Sequence, residues 1–326
     1  MSFAADARRT AKALVYAVRG NPAALARSLR SIAARGGTAI LSLHRVGPRD
    51  GSAYVPLSSE LLDDLIGFCR RQGDFITLAD YKEASAQKSD RPHFILSFDD
   101  GYRDFLDHAL PILRRHDVRA NHNFIPGCVD SGQPPLNVFL QDFIGKAPAA
   151  LLKEFQVPGV GPIDPHANRE RTGTRVSASL KSRPIAEQRA IVEQLRPIIE
   201  RADNFVPTPM MNVADIAAIA GEIEIGAHSF DHATMEHENE DYVRDDARRC
   251  RSWFDERLGM TPTIYALPNG SGTDRQRDIL RAEGFSTVLK VGERIAGPQD
   301  YEPNRITIYG DSRAEVRSRA VGCAAG

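Results

Sequence analysis

Two adjacent carboxylates at the end of an apolar segment are the first residues that could carry out chemistry. Asp99 and Asp100 follow the apolar segment 94–98 and precede a glycine. In parallel α/β folds the carboxyl ends of the strands form the functional edge, so carboxylates there are placed to act on a ligand. Because adjacent side chains diverge, one carboxylate can bind a metal while its neighbour accepts a proton. The alternative is an Asx turn that only ends the strand.

Two histidines four residues apart form the second candidate group. His228 and His232 lie in the segment Gly-Ala-His-Ser-Phe-Asp-His, directly after an apolar run. Their side chains point the same way if one turn of helix joins them, and imidazole nitrogen is a common ligand of zinc. Such a pair alone is weak evidence. Together with Asp100 it would complete a site of two histidines and one carboxylate, with positions open for water and substrate.

A third segment completes a pattern that resembles a known family. Tyr265 begins the segment Tyr-Ala-Leu-Pro-Asn-Gly, which ends another apolar run. The order of Ser-Phe-Asp-Asp-Gly-Tyr, then the two-histidine segment about 130 residues later, then this third segment, resembles the signatures of the polysaccharide deacetylases, the NodB-like carbohydrate esterases of family four. The similarity covers roughly residues 38 to 310.

The resemblance implies a role for each motif. Asp99 would be the general base, and Asp100, His228 and His232 would bind one divalent metal, zinc first, with cobalt, nickel or iron also suited to these ligands. The metal would polarise the acyl carbonyl and acidify a water molecule, from which Asp99 takes the proton. A backbone N–H near Asn269 would stabilise the oxyanion. The expected substrate- and oxyanion-binding residues are Tyr102, Arg103, Pro268, Asn269 and Gly270.

The sequence departs from the family pattern at two points. No histidine follows Phe285, in the region where the family usually places its general acid. His44, in Leu-His-Arg-Val after the first apolar run, resembles the opening of relatives whose motifs are circularly permuted, and in a closed barrel the first strand can lie beside the last. We therefore expect His44 to be the general acid; the alternative is a histidine hydrogen-bonded at a strand end. Ala266 stands where the family's third motif has an arginine that orients the catalytic aspartate. Arg103 is the candidate to orient Asp99 in its place.

Apolar and helix-like segments alternate along the chain, which predicts a mostly parallel sheet. The apolar runs are 38–43, 94–98, 119–125, 222–227, 263–267, 286–289 and 306–309, and helical periodicity covers 59–72, 104–116, 242–258 and 274–283. The resemblance implies a distorted (β/α) barrel of fewer than eight regular strands. We expect an N-terminal helical extension at 1–36, the barrel at 37–312 with a helical insertion at about 134–210, and a C-terminal tail at 313–326.

Composition limits the partners of the protein. The 42 Lys and Arg residues balance 43 Asp and Glu residues, so no global field attracts nucleic acid. Four scattered cysteines without a Cys-x-x-Cys pair, and no apolar run of membrane-spanning length, favour a cytoplasmic protein. Residues 1–35 are basic and have a helical pattern. They pack on the domain or, alternatively, contact the inner face of a membrane peripherally.

We expect a metal-dependent hydrolase that removes an N-acyl group, acetyl above all, from an amino sugar or from a glycan or glycan precursor that contains one. Two alternatives stay open. The same groups could hydrolyse an O-acetyl ester or an N-formyl amide of a sugar, since any activated acyl carbon can be attacked. Ala266 and the missing late histidine also leave open a non-catalytic glycan-binding protein on the same fold.

Overall fold

Seven parallel strands close into a barrel in the computed structural model, which describes residues 15–87, 89–298 and 300–323. The barrel closes where the strand 38–43 pairs with the strand 93–100, which puts Leu43 opposite Phe98. The predicted distorted barrel of fewer than eight strands is confirmed. In barrel order the strands are β1 (Thr38–Leu43), β10 (Asn304–Thr307), β9 (Thr287–Val291), β8 (Ile264–Ala266), β7 (Glu224–Ala227), β4 (Asn121–Phe124) and β3 (His93–Asp100).

Most of the barrel strands are apolar because side chains on both of their faces are covered, whereas β4 and β10 carry buried amide and guanidinium side chains. Every residue of β1 is buried, and in β3 only His93 is partly exposed. Successive side chains point alternately into the barrel and toward the surrounding helices, which explains the continuous apolar runs of the sequence. Because the strands are parallel, their carboxyl ends meet at one mouth of the barrel. Outside the barrel, β2 (Asp74–Phe75) pairs with β3.

Helices cover the outside of the barrel. The helix Glu240–Leu258 begins at Asn239, whose side chain accepts a hydrogen bond from the Tyr242 N–H, and ends at Gly259 in the left-handed conformation. Its buried face joins the barrel core. The other helices around the barrel are Ser59–Gln72, Tyr81–Ala86, Leu110–Arg115, Pro126–Ser131, Val213–Ile219, Asp274–Ala282 and Arg313–Ala320, with a π-helical turn at Phe105–Ala109 and 3₁₀ turns at Met235–His237 and Pro268–Gly270.

Residues 136–199 fold around an apolar cluster of their own. Phe143, Phe155 and Leu180 are fully buried in this cluster, which is separate from the barrel core. These residues fall inside the predicted insertion at 134–210, whose boundaries stay a prediction. The elements are the helices Leu136–Lys146, Ala149–Glu154, Arg169–Lys181 and Ile185–Ile199, with a hairpin of β5 (Gln156–Val157) and β6 (Gly161–Pro162).

The N-terminal helix Pro22–Ala34 packs on the core through Leu25, Leu29 and Ile32. Residues 15–19 are also helical. The rest of the predicted extension, residues 1–14, lies outside the described residues. The predicted membrane contact of residues 1–35 therefore stays a prediction. In the part of the chain that the structure describes, no helix is both long and apolar enough to span a bilayer.

The predicted C-terminal tail contains a packed helix. The helix Arg313–Ala320 lies on the helix Ser59–Gln72, where the Arg317 guanidinium donates to the Asp64 carboxylate at 2.6 and 2.8 Å. Val316 is buried on its inner face. Residues 324–326 of the predicted tail lie outside the described residues.

Candidate metal centre and active site

Asp100, His228 and His232 converge at the carboxyl-end mouth of the barrel. One ligand atom of each lies within 4.8 Å of the others, and Asp100 Oδ1 is 3.4 Å from His228 Nε2 and 3.5 Å from His232 Nε2. All three side chains are buried, and Asp100 Oδ1 accepts no hydrogen bond from any described residue. Two imidazoles and an unsatisfied buried carboxylate oxygen fit a divalent metal, with positions left for other ligands.

The backbone at this mouth is bent so that the ligands turn inward. Asp100 has φ 77° and His232 has φ 61°, in the left-handed region that costs a non-glycine residue about 1–3 kcal/mol. Asp100 ends β3, and Gly101 continues the turn with φ 87°. Such conformations persist only where the surrounding structure fixes them. The segment 228–232 must therefore be fixed by contacts with the residues that surround it.

The buried carboxyl group of Asp246 holds the histidine segment. Its Oδ1 accepts hydrogen bonds from Ser229 Oγ and from the Phe230 N–H, both at 2.8 Å. Its Oδ2 accepts one from the Tyr265 hydroxyl at 2.7 Å. Ser229 Oγ in turn accepts from the Ala233 N–H at 3.1 Å. The loop between the two histidines is thus tied to the helix Glu240–Leu258 and to β8.

A hydrogen bond orients the His228 ring, and burial keeps the His232 ring in the form that binds metal. His228 Nδ1 lies 2.8 Å from the carbonyl oxygen of Ala266. Since a carbonyl oxygen only accepts, Nδ1 carries a proton, and Nε2 is the nitrogen that faces Asp100. Burial lowers the pKa of His232 to about 3, so the His232 ring is neutral. Ala266, which replaces the family's arginine, therefore contributes through its backbone.

Asp99, the predicted base, is held at one oxygen and open at the other. Its Oδ1 accepts hydrogen bonds from Arg305 Nη1 at 2.7 Å and from Asn123 Nδ2 at 2.8 Å. Its Oδ2 lies 3.9 Å from both His44 Nε2 and His228 Nε2. Burial alone would raise the pKa of Asp99, but the Arg305 guanidinium holds it well below its usual range. The carboxylate is therefore ionised, and Oδ2 is available to accept a proton.

The arginine that supports Asp99 is Arg305, so the prediction for Arg103 is corrected. Arg103 pairs with both oxygens of Asp215, at 2.8 and 2.9 Å, and its side chain is 42% exposed. Arg305 is fully buried and also donates to Ser97 Oγ at 3.0 Å. Only β1 separates β10 from β3 in the closed barrel, so the Arg305 side chain reaches Asp99.

His44 follows β1 and lies at the same mouth as Asp99. Its side chain is 25% exposed, and its ring meets Tyr54 edge-on with the centroids 6.4 Å apart. Burial lowers the pKa of His44, while the negative charges of Asp100 and Asp99 act in the opposite direction. The ring lines the cleft and faces the open oxygen of Asp99. Its role as general acid stays a prediction.

The third motif forms a single helical turn at the rim. Asn269 lines the cleft with φ 59°, and its Nδ2 donates to Thr234 Oγ1 at 2.8 Å. The Gly270 N–H donates a hydrogen bond to the Leu267 carbonyl oxygen at 2.8 Å. Because that N–H is engaged, the Asn269 N–H is the candidate donor to the oxyanion. A Cβ on Gly270 would collide with the backbone of Val291, so this position requires glycine.

Three residues predicted to contact substrate support the cleft without lining it. Pro268 and Tyr102 are buried, and Gly270 is partly exposed beside Asn269. The Tyr102 ring packs against Tyr54, with the centroids 6.4 Å apart. Contact of these three residues with substrate stays a prediction.

A cleft of about 590 Å³ opens over the metal-ligand group. Its walls come from the segment after β1, including Tyr54, from the segment after β10, including Tyr309, and from two helices of the region 136–199. This volume is in the range of small-molecule sites. The cleft therefore admits a ligand of sugar size to the metal-ligand group.

Arg305, Asn123 and Lys181 belong to the site but were not predicted. A usable signal existed for the first two, because a charged or amide side chain inside a buried barrel strand requires a buried partner. Lys181 lines the cleft from the helix Arg169–Lys181. Nothing in the sequence of that region indicates which helix face is turned to the site.

The fold is a distorted barrel of the NodB type, and the comparison with protein families agrees with it. Residues 203–288 match the family model described as polysaccharide deacetylase. This range contains His228, His232 and the third motif. The predicted resemblance to the polysaccharide deacetylases is thus confirmed, whereas the permuted arrangement of the motifs stays a prediction. A comparison with curated protein sequences gave no match.

Several solved structures share the fold. IcaB from Ammonifex degensii superposes with a TM-score of 0.56 at 19% identity, covering 87% of this chain and 97% of that one. The Streptococcus pyogenes deacetylase PplD in complex with acetate gives 0.55 at 16% identity, covering 83% and 92%. A de-N-acetylase from Aggregatibacter actinomycetemcomitans gives 0.52 at 16% identity, covering 82% and 93%. At these identities the likeness establishes a common fold.

Proposed function

We propose that the chain is a metal-dependent carbohydrate deacetylase that hydrolyses the N-acyl group, acetyl above all, of an amino sugar or of a glycan or glycan precursor. The observation that carries the proposal is the convergence of Asp100, His228 and His232 beside the ionised Asp99 in one cleft. The family match and the shared fold support it. Zinc is the proposed metal, although cobalt, nickel or iron suit the same ligands.

Asp99 is proposed to take the proton of the attacking water. A divalent metal on the three ligand residues would supply Lewis acidity for the acyl carbonyl and lower the pKa of water. Asp99 accepts the proton through Oδ2, because Oδ1 is engaged by Arg305 and Asn123. The two donors also fix the carboxylate in one orientation, so that Oδ2 faces the cleft throughout the reaction.

His44 is proposed to protonate the leaving amine. Hydrolysis forms a C–O bond at the acyl carbon and breaks the C–N bond, so the nitrogen must leave with a proton. His44 Nε2 lies 3.9 Å from Asp99 Oδ2, so a small shift of the ring would bring the two atoms within hydrogen-bond distance and let the proton taken from water pass to the ring and then to the nitrogen. The Asn269 N–H at the rim is the proposed donor to the oxyanion.

Two features of the site favour an enzyme over a non-catalytic glycan-binding protein. That alternative was motivated by Ala266 and by the missing late histidine. Arg305 supplies a guanidinium to Asp99, and His44 supplies an imidazole on the cleft side of the same carboxylate. Both departures from the family pattern therefore have a counterpart elsewhere in this barrel.

The test is release of acid by metal-free protein before and after addition of zinc, with N-acetyl, O-acetyl and N-formyl amino sugars compared. We expect metal-dependent release that is fastest with the N-acetyl compounds. Faster hydrolysis of the O-acetyl or N-formyl compounds would favour the esterase or deformylase alternative. Glycan binding without acid release from any acylated sugar would overturn the proposal in favour of a binding protein.

A further inference from the structure

One helix of the region 136–199 presents a polar stripe to the cleft. Glu170, Thr174, Ser177 and Lys181 all line it, and their spacing of four, three and four residues places them on one face of the helix Arg169–Lys181. Asn137 Nδ2 donates to Ser177 Oγ at 3.2 Å, in a buried hydrogen bond that fixes this helix against its neighbour Leu136–Lys146. The stripe is therefore a fixed wall of the site.

Lys181 differs from the two arginines of this cleft because no carboxylate in the described part of the chain pairs with it. Arg45 pairs with two aspartates, at 2.9 and 3.0 Å, and Arg49 pairs with Glu170. Among the described residues, no carboxylate oxygen lies within 4.0 Å of Lys181 Nζ. Burial lowers the pKa of this half-buried lysine, and the charge of Asp100 acts in the opposite direction. An unpaired ammonium in such a position favours a ligand that brings negative charge.

The charge balance of the metal centre indicates the same kind of ligand. Asp100 is the one anionic residue of the ligand group, and the charge of Asp99 is balanced by Arg305 at 2.7 Å. A divalent cation on these ligands would leave net positive charge in the cleft that Lys181 also lines. A neutral acylamino sugar compensates neither charge. An anionic substituent next to the acylamino group would compensate both.

We propose that Lys181 binds a phosphate group on the substrate carbon next to the acylamino group, so that the substrate is an amino-sugar phosphate and not a neutral glycan. This inference rests on the proposed function. In a 2-acylamino sugar the neighbouring carbon includes the anomeric one, through which sugar phosphates, nucleotide sugars and lipid-linked sugars carry phosphate. A uronate carboxylate would lie across the ring from the acylamino group. A lysine ammonium is a common phosphate ligand.

The test compares four zinc-loaded proteins: wild type, Lys181→Met, Lys181→Arg and Arg175→Met. Arg175 lies on the same helix but is exposed and outside the cleft, so its substitution removes an equal charge away from the site. The probes are N-acetylglucosamine 1-phosphate and its neutral match, the methyl glycoside of N-acetylglucosamine. Calorimetry gives the affinity for each probe, and acetate release is followed separately.

We expect wild type and Arg175→Met to bind the phosphate at least about tenfold more tightly than the methyl glycoside, Lys181→Met to lose this preference and Lys181→Arg to keep it. Equal affinities in wild type, or a preference that survives in Lys181→Met, would overturn the inference. A preference without acetate release from any probe would instead count against the proposed function. UDP-N-acetylglucosamine and a short polyprenyl-phosphate sugar then distinguish the nucleotide from the lipid source by their affinities.

Discussion

Replacing Arg305 with methionine should destabilise the protein, because the buried carboxylate of Asp99 loses its ion-pair partner. Arg305 is fully buried, and the variant loses its hydrogen bonds to Asp99 at 2.7 Å and to Ser97 at 3.0 Å. Methionine fills much of the volume but leaves the buried carboxylate with the Asn123 amide as its remaining donor. Because breaking one side of a buried ion pair costs about 3–5 kcal/mol, we expect the free energy of unfolding to fall by that amount.

Urea unfolding of metal-free protein measures this loss, with Arg103→Met as the matched control. The Arg103 side chain is 42% exposed, against 0% for Arg305, so removal of its pair with Asp215 should cost about 0–1 kcal/mol. In an Asp99→Asn background the loss caused by Arg305→Met should shrink by about 1–3 kcal/mol, because no charge is left unpaired. Equal losses at the two arginines, or an undiminished loss in that background, would refute the reasoning.

The pH dependence of the free energy of unfolding is a second test of the ion pair between Asp99 and Arg305. In wild type the pKa of Asp99 is held below its usual 3.8, so the stability from this pair is fully present above about pH 3.8 and is lost as pH falls through the lowered value. Without Arg305, burial raises the pKa of Asp99, and stability is then lost as pH rises toward the raised value. The difference in the free energy of unfolding between Arg305→Met and wild type should therefore be smaller at pH 5 than at pH 7.

Three further substitutions test individual parts of the site. Asp99→Asn should lower kcat for acetate release by at least about 100-fold while zinc still binds in a titration, and loss of zinc binding would contradict the assigned role. His44→Gln should lower kcat by about 100-fold or more on an N-acetyl sugar but by less than about tenfold on 4-nitrophenyl acetate, whose phenolate leaves without a proton; equal losses on both would exclude a general acid. Tyr265→Phe removes one hydrogen bond to Asp246, so it should cost about 1–3 kcal/mol in urea unfolding and weaken zinc binding roughly tenfold, and unchanged zinc affinity would show that the loop is fixed without it.

The barrel and the metal-ligand group could be predicted because their signals are local. Each apolar run predicted in the sequence contributes to one barrel strand, and β1 has the predicted bounds of residues 38–43. Asp99 and Asp100 end β3, His228 directly follows β7 and His232 lies four residues further on, and parallel strands bring such ends to one mouth. Spacing in the sequence was therefore enough to place these residues together.

The support of Asp99 could not be predicted because it depends on which strands are neighbours. Arg305 and Asp99 are 206 residues apart, and only closure of the barrel through β1 brings them within 2.7 Å. Arg103, close in the sequence to Asp99, turns away to Asp215. The position of Lys181 in the cleft could not be predicted for a related reason. The periodicity of a helix shows which residues share a face but not which part of the protein packs against that face.

The most direct test of the account is a competitive zinc titration of wild type, His228→Ala and His237→Ala. His237 lies in the segment that follows the ligand histidines, but its ring pairs only with Glu236 at 3.8 Å among the described residues, which makes it the matched control. We predict one zinc ion per chain in wild type and in His237→Ala, and an affinity lower by more than about 100-fold in His228→Ala. Absence of zinc binding in wild type, or unchanged affinity in His228→Ala, would contradict the account.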